Sequence, residues 1–504
     1  MPEGTQNSPK KEAGAGVAPT YLGLDIGTSA VKAVLIAADQ SILASETAPM
    51  EVSRPQPGWS EQDPDSWITA TRQAVAKVKA ARPEALSRLL GIGLSGHMHG
   101  ATLIGSDHKP LRPCILWNDG RSAQECVELE AKADFRGIAG NIVMAGFTAP
   151  KLAWVAKHEP KIFEAIYKVL LPKDYVRLWL TGEFASEMSD ASGTAWLDVA
   201  KRDWSPELVE ATGLTMDHMP RLVEGSENSG HLRQELRDEW ALKGPIVVAG
   251  GGGDNAASAC GLGTVVPGSA FVSLGTSGVV FVSNDRFSPN TEGAVHAFCH
   301  AIPDTWHQMG VILSAMDSLT WLSLTTGTPA PDLTAALEGP LSGPARGLFL
   351  PYLSGERTPH NDASARGAFI GLDHSTDKKV LTQMVLEGIA FAFCDSLRVL
   401  SDAGSRVDSA LVAGGGARSK ALLSILATAL NIELHVPEAG DFGGGFGAAR
   451  LGLMAATGAD PAQVCSQPRI VETISPDARL TAAYQDKYQS YRALYPALKP
   501  LLNA

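Results

Sequence analysis

The chain has 504 residues and a net charge of −12, from 42 Lys+Arg against 54 Asp+Glu. At roughly 100–200 residues per domain this length implies two to four domains. The acidic balance excludes non-specific nucleic-acid binding, which needs a basic face, but leaves room for a local basic pocket. The 51 glycines amount to about 10% where ~7% is usual. They cluster at Gly250–Gly253, Gly414–Gly416 and Gly443–Gly445, a pattern that suits backbone-lined ligand loops.

In chain order, residues 1–19 have no apolar run of the kind a signal peptide carries, and they read as a short disordered leader. From Tyr21, YLGLDIGTSAVKAVLI predicts a strand, a Gly-Thr-Ser turn and a returning strand. Pro64 to Leu90 predicts a helix with Asp63 or Asp65 at its start. LLGIGLSG (Leu89–Gly96) predicts a buried strand. Strands alternating with helical segments indicate an α/β fold with a parallel or mixed sheet. His97 and His99 follow in SGHMHGATLI. No nearby Cys or carboxylate completes a zinc site, so the pair reads as hydrogen-bonding to a polyhydroxylated substrate, with Met98 as an apolar wall. CILWNDGRS and ERTPHND are polar turns that fit substrate contact and plain turn chemistry equally well.

The middle of the chain is helix-rich around KLAWVAKHEPKIFEAIYKVL and YVRLWLTG. GPIVVAGGGGDNAASACGLGTV then predicts a strand, a four-glycine loop and a small-residue helix. Residues 255–284 carry no charge, but Pro267 and repeated glycines interrupt them, which indicates buried strands and turns rather than a membrane helix. SAFVSLGTSGVVFVS repeats the first hairpin: SLGTSG (Ser273–Gly278) echoes DIGTSA (Asp25–Ala30) about half a chain later, implying two halves of similar build. EGIAFAFCDSLRVLSDAG predicts a helix. SALVAGGGARSKALLSILATAL predicts a strand, a glycine turn and a helix starting near Ala417–Ser419. The tail from about Ser475 predicts a charged helix. The six cysteines are scattered without a CxxC pair, which fits a reducing, cytoplasmic setting.

Gly-Thr-Ser turns present backbone N–H groups and hydroxyls that suit phosphate oxygens, and a glycine loop opening a helix favours an anion or the nucleotide attached to it. None of these loops has the GxxxxGK[ST] pattern or gives the full GxGxxG fingerprint with a matching acidic residue, which disfavours a Rossmann dehydrogenase. Three such loops, two of them half a chain apart, point to a nucleotide cleft between domains. Asp25 and Asp254 stand at strand ends beside these loops. A carboxylate next to phosphates needs a cation, so Asp25 is the candidate for organising Mg2+ through water. Asp254 is the candidate general base for phosphoryl transfer to an alcohol. The alternative for each is a capping role at a turn or helix.

GFTAPKLAWVAKH (Gly146–His158), GAFIGLDHSTDKKVLTQMVLEG (Gly367–Gly388), SEQDPDSW, GHMHGATL and LPYLSGERTPHND together make the sequence resemble the FGGY carbohydrate kinases, from about Tyr21 to Leu453. Val380 and Met384 stand where that family has a polar and a small residue. The resemblance implies two actin/hexokinase-like (ribonuclease H-like) α/β domains with a hinged cleft. Residues 20–263 would bind sugar, 264–460 would bind ATP, and 461–504 would form a helical tail. It implies that Asp254 is the catalytic base, that Asn255, Met98 and His99 contact the substrate, and that His97 replaces a glutamine. Asp25, Thr28 and Ser29 would form the first phosphate segment, Thr276 the second, and Gly415, Gly416 and Ser419 the adenosine segment. The late run DFGGGFGAAR is assigned no contact. The implied reaction uses ATP and Mg2+ to convert D-xylulose into its 5-phosphate, in a cytoplasmic homodimer with no nucleic-acid or membrane partner. The rivals are a kinase for ribulose, gluconate or glycerol, a sugar-binding regulator without catalysis, and an actin-like ATPase.

Overall fold

The computed structural model describes residues 18–438, 440 and 442–502. Most of the expected leader, and Asp441 of the late glycine run, lie outside the described residues. In the first lobe, β1 (Thr20–Ile26), β2 (Ala30–Ala37) and β3 (Ile42–Pro49) form an antiparallel meander. Helix α1 (Pro64–Ala81) follows. Asp63 caps it by accepting the Asp65 N–H, and Trp67, Ala70, Ala74 and Val78 make a buried stripe at helical spacing. The helix expected to reach Leu90 ends earlier because Pro83 offers no N–H to continue it. Residues 83–86 form a separate turn.

Strand β4 (Leu89–Gly96) then runs parallel to β1. Beyond it come α2 (Thr148–His158), α3 (Pro172–Thr181) and the short α4 (Met188–Ser192). Strand β5 (Asn228–His231) is antiparallel to β6 (Val247–Ala249), which lies parallel to β4. The pair Gly252–Gly253 (β7) continues along β4 and leads into α5 (Asp254–Leu262).

The second lobe repeats the plan. Strand β8 (Ala270–Leu274) is antiparallel to β9 (Gly278–Asn284), and β11 (Trp306–Ile312) pairs with both β9 and β10 (His296–Cys299). After α6 (Met316–Thr326) and α7 (Lys378–Asp402), β12 (Ser409–Ala413) lies parallel to β8. Helix α8 (Lys420–Leu430) returns the chain to β13 (Glu433–Pro437), parallel to β12. The order β3-β2-β1-β4-β6-β5 is thus matched, strand by strand and sense by sense, by β11-β9-β8-β12-β13 and a last strand. The echoing Gly-Thr-Ser turns occupy equivalent positions, and Asp25 of one half stands where the other has Ser273. Helix α7 is the one helix among the described residues long and apolar enough to cross a membrane. Its apolar stretch is 78% buried inside the lobe, as a core helix should be.

Two features depart from the expected division at residues 263 and 460. Helix α9 (Gly444–Thr457) belongs to the second half by sequence but packs on the first sheet. A Cβ at Gly23 would lie 1.8 Å from the Gly445 carbonyl oxygen, and one at Gly93 only 1.7 Å from that of Ala448. Gly447 meets α5 equally closely, 1.7 Å from the Ala257 oxygen. The late glycine run is therefore a packing surface on which backbone touches backbone. The tail opens with β14 (Ile470–Ile474), the last strand of the second sheet, antiparallel to β13. Helix α10 (Thr481–Arg492) buries Tyr484, Tyr488 and Tyr491 in the same core as α7, and α11 (Leu494–Leu502) follows.

Candidate active site

Asp254 is the first residue of α5, directly after the glycine loop, and is half-buried. Its Oδ1 accepts the Asn255 backbone N–H at 2.7 Å and the Asn255 Nδ2 at 2.9 Å. Burial first, and then the neighbouring Asp25 carboxylate, push Asp254 up to about 6. Asp25 is the penultimate residue of β1 and accepts the Ser95 hydroxyl at 2.8 Å. The start of α9 lies beside it: a Cβ at Gly444 would be 3.1 Å from the Asp25 carboxyl carbon. Two helix N-termini thus converge on two carboxylates, and their partial positive ends offset part of the mutual repulsion.

The loop that carries Asp254 is clamped from beneath. Arg177 donates to the carbonyls of Ala249 and Gly250, and the Gly253 N–H donates to Ser189 Oγ at 3.0 Å. Arg177 belongs to a fully buried charge cluster with Lys173, Asp174, Glu187 and Asp190. The sequence signal for this clamp was a lone arginine inside the apolar run YVRLWL.

Met98 and His99 lie next to the glycine loop that ends in Asp254. A Cβ at Gly253 would be 2.9 Å from Met98 Sδ, and one at Gly193 would be 2.5 Å from the His99 ring. His99 has φ of 71°, in the left-handed region that a non-glycine residue enters at a cost. Its carbonyl is held by Lys151 Nζ at 2.8 Å and Thr148 Oγ1 at 3.1 Å. Its Nδ1 lies 2.6 Å from the Gly193 carbonyl. A carbonyl only accepts, so Nδ1 carries the proton. Burial holds the ring at about 3, so it is neutral and Nε2 is an acceptor. Burial also pushes Lys151 down to about 7. No motif in the sequence singled out Lys151 for a role, although it sits in the segment GFTAPKLAW.

His97 departs from its expected substrate contact. It is buried edge-on against Trp67 of α1, at 5.7 Å between ring centres, with neither ring nitrogen hydrogen-bonded. Asn255 donates one side-chain N–H to Asp254, which leaves its second N–H and its Oδ1 for the expected substrate contact.

A cavity of about 450 Å3 opens beside Asn255, the neighbour of Asp254. Gly414, Ala417 and Arg418 line one side, Ser273 and Asn255 another, and Phe442 and Gly443 a third. Of the expected adenosine segment, Gly415 is open to solvent, whereas Gly416 packs on Leu274 and Met316. Ser419 caps α8 by accepting the Leu422 N–H at 3.2 Å. That helix starts at Lys420, after a 3-10 turn over Gly415–Arg418.

Thr28 and Ser29 form the first turn. Thr28 Oγ1 accepts the Trp117 indole N–H at 3.1 Å, and Ser29 is exposed. Thr276 is exposed in the second turn, and its carbonyl anchors Ala315 and Asp317 at the start of α6. Among the described residues no group of three or more His, Cys, Asp or Glu side chains converges as a metal cage. The donors near the loops are single carboxylates, which suit an ion that keeps its waters.

Comparison with known proteins gives the family and the fold. The description "FGGY family of carbohydrate kinases" matches residues 20–261 for its N-terminal domain and 270–456 for its C-terminal domain. The chain is 47% identical over 485 residues to the xylulose kinase of Escherichia coli (strain K12), covering 96% of this chain and 100% of that protein. It is 45% identical to that of Klebsiella pneumoniae with the same coverage, 96% and 100%. The crystal structure of a xyloylose kinase from Brucella ovis matches with a TM-score of 0.94 at 58% identity, over 96% of this chain and 100% of the other. A Plasmodium falciparum glycerol kinase with ADP shares the fold, with a TM-score of 0.86 at 19% identity over 95% and 98% of the two chains.

Proposed function

The chain belongs to the FGGY family of carbohydrate kinases, and we propose that its acceptor is D-xylulose, which it converts with ATP to D-xylulose 5-phosphate. The full-length similarity to xylulose kinases supports this acceptor. The observation that carries the chemistry is the double position of Asn255. Its amide holds the Asp254 carboxylate, and the same residue forms part of the wall of the cavity beside Gly414. A base one residue from a nucleotide-sized cavity is the arrangement that phosphoryl transfer to an alcohol needs.

In this reading the terminal hydroxyl of the sugar lies against Asp254, with Met98 and the acceptor nitrogen of His99 along the chain of carbons. Asp254 takes the hydroxyl proton. The oxygen attacks the γ-phosphorus in line, and the bond to the β,γ-bridging oxygen breaks, releasing ADP. Asp25, oriented by Ser95, would hold Mg2+ through water on the triphosphate. When bound, that ion neutralises charge on the phosphoryl oxygens. The amides of the two Gly-Thr-Ser turns, with Thr28, Ser29 and Thr276, would face the phosphates, and Gly415 would let the backbone approach the adenosine. Closure of the two lobes would exclude water and limit wasteful hydrolysis of ATP. All six cysteines are free thiols, which supports a cytoplasmic setting.

The test is ADP release with Mg-ATP over a panel of D-xylulose, ribulose, gluconate and glycerol. The expected result is a kcat/KM highest for D-xylulose. Preference for another member would reassign the acceptor, and no sugar-dependent turnover would favour a regulator. Asp254→Ala should lower turnover by several orders of magnitude while ATP still binds.

A further inference from the structure

We propose that Arg357 is a sugar-binding residue supplied by the second lobe, and that its guanidinium recognises the carbonyl end of an open-chain ketose, remote from Asp254. This rests on the ketopentose reading above. The turn carrying Arg357 is rigidly built. The Glu356 N–H donates to Asp362 O at 2.9 Å and the Asp362 N–H donates to Glu356 O at 2.8 Å. The Thr358 N–H donates to Val311 O at 3.0 Å, and Thr358 Oγ1 accepts the Val311 N–H at 2.9 Å, which fastens the turn to the end of β11. From there the side chain of Arg357 reaches the first lobe, where its Nη1 meets Met144 Sδ.

That position lies one step beyond His99. His99 stacks on Phe147 at 4.8 Å, and Phe147 lies 5.7 Å from His296. The Arg357 charge acts on both His99 and His296, helping to hold each ring neutral. Met98 touches the Gly253 side of the site and His99 continues it, so Asp254, Met98, His99 and Arg357 follow one another. Asp254, His99 and Arg357 are each half-buried, while Met98, Met144, Phe147 and His296 around them are buried. Accessible polar ends on a buried apolar floor are what line a sugar cleft.

The guanidinium also lacks a counter-ion. Among the described residues Arg357 makes no ion pair. The adjacent carboxylate, Glu356, uses Oε1 to accept the backbone N–H groups of Leu313 and Arg357, at 2.9 and 2.7 Å. Burial pushes Glu356 up to about 8, so it is mostly protonated at neutral pH and supplies little charge. A half-buried cation without a counter-ion gains when a ligand brings it oxygen acceptors. Guanidinium groups donate and never accept. A ketone oxygen only accepts and so meets the Arg357 donors with no proton of its own to place, whereas the hydroxyl of the reduced sugar needs a further acceptor for its proton.

The experiment compares kcat/KM for D-xylulose and for xylitol, its carbonyl-reduced counterpart, in the wild type, Arg357→Lys and Arg357→Met. We expect Arg357→Met to lower kcat/KM for D-xylulose by about 100-fold, mainly through KM, and to cut the preference for ketose over pentitol by about tenfold or more. Arg357→Lys should fall between, and KM for ATP should stay within about twofold in both. The thermal midpoint of Arg357→Met should change little, because the residue it removes has no ion-pair partner and the new side chain can still pack on Met144, and D-xylulose should no longer raise that midpoint. Equal losses on both substrates, or a loss confined to kcat, would overturn the assignment. If the Met variant fails to fold, the same comparison with Arg357→Lys decides the question. A wild-type enzyme that turns over another member of the sugar panel but not D-xylulose would instead overturn the acceptor, and with it the carbonyl contact.

Discussion

Arg177 donates from Nη1 to the carbonyl oxygen of Ala249 at 2.7 Å, deep beneath the loop that ends in Asp254. Its second nitrogen reaches the Gly250 carbonyl, so the fork spans consecutive peptides of the strand end. The position of Asp254, the proposed base, is therefore set from beneath by a buried arginine. Arg177→Lys keeps the charge but loses the fork. We expect kcat to fall by about 10–100-fold with KM for both substrates within about threefold. Arg177→Met strips a cation from a buried cluster and should cost about 3–5 kcal/mol in a urea titration.

Asp254 must be ionised to act. With its carboxyl pushed up to about 6, kcat/KM should fall about tenfold per pH unit below that value. Part of the rise comes from repulsion by Asp25. Asp25→Asn should move the acid limb of the pH–rate profile to lower pH, while lowering the plateau if Asp25 organises the metal. An unmoved limb would show that the two carboxylates do not communicate.

The same shift bears on stability. The folded-state value lies above the ordinary carboxylate value, so the folded protein disfavours the charged form. Stability is lost as pH rises from about 4 through about 6. Asp254→Asn removes the charge. We expect a higher thermal midpoint than wild type at pH 8, worth on the order of 1–2 kcal/mol after allowance for partial exposure, and no difference at pH 4. This inactive but more stable variant would show the base to be held at a cost.

Ser419 and Gly415 were both expected at the adenosine, and their structural roles separate them. Ser419→Ala removes a helix cap and should cost about 1 kcal/mol while leaving KM for ATP within about twofold. Gly415 faces open space, with nothing within 4 Å of an added Cβ, so Gly415→Val should fold with little loss. It should raise KM for ATP if the nucleotide approaches this backbone. The reverse pattern would move the contact to Ser419.

Gly93→Ala would place a methyl group 1.7 Å from the Ala448 carbonyl oxygen. Backbone rather than a flexible side chain must move, so the loss should be at least about 3 kcal/mol, read as a lower urea midpoint.

The duplicated plan was legible because short apolar runs rich in β-formers flank both Gly-Thr-Ser turns. Asp254 was legible because a strand, a glycine loop and a small-residue helix fix where their junction lies. The direction of His97 was not. Two histidines flanking one residue look equivalent in a sequence, and only the packing of Trp67 decides that one is core and the other lines the site. The path of residues 444–457 was equally hidden. A Gly/Ala run has few side chains to declare a partner, and here the partner is backbone far away in sequence, as for Gly23 with Gly445 and Gly93 with Ala448. Lys151 and Arg177 act through main-chain carbonyls, which every residue has, so their partners carried no sequence signal.

The seating of the Gly444–Thr457 helix on the first sheet has a consequence for biosynthesis. A ribosome releases the chain from its N-terminal end, so the strands carrying Gly23, Gly91 and Gly93 emerge long before the helix that covers them. For most of translation that glycine-paved face stays bare. The first lobe then cannot mature as an autonomous unit, and a nascent chain halted near residue 263 should remain protease-sensitive and dependent on holding chaperones until the remainder arrives.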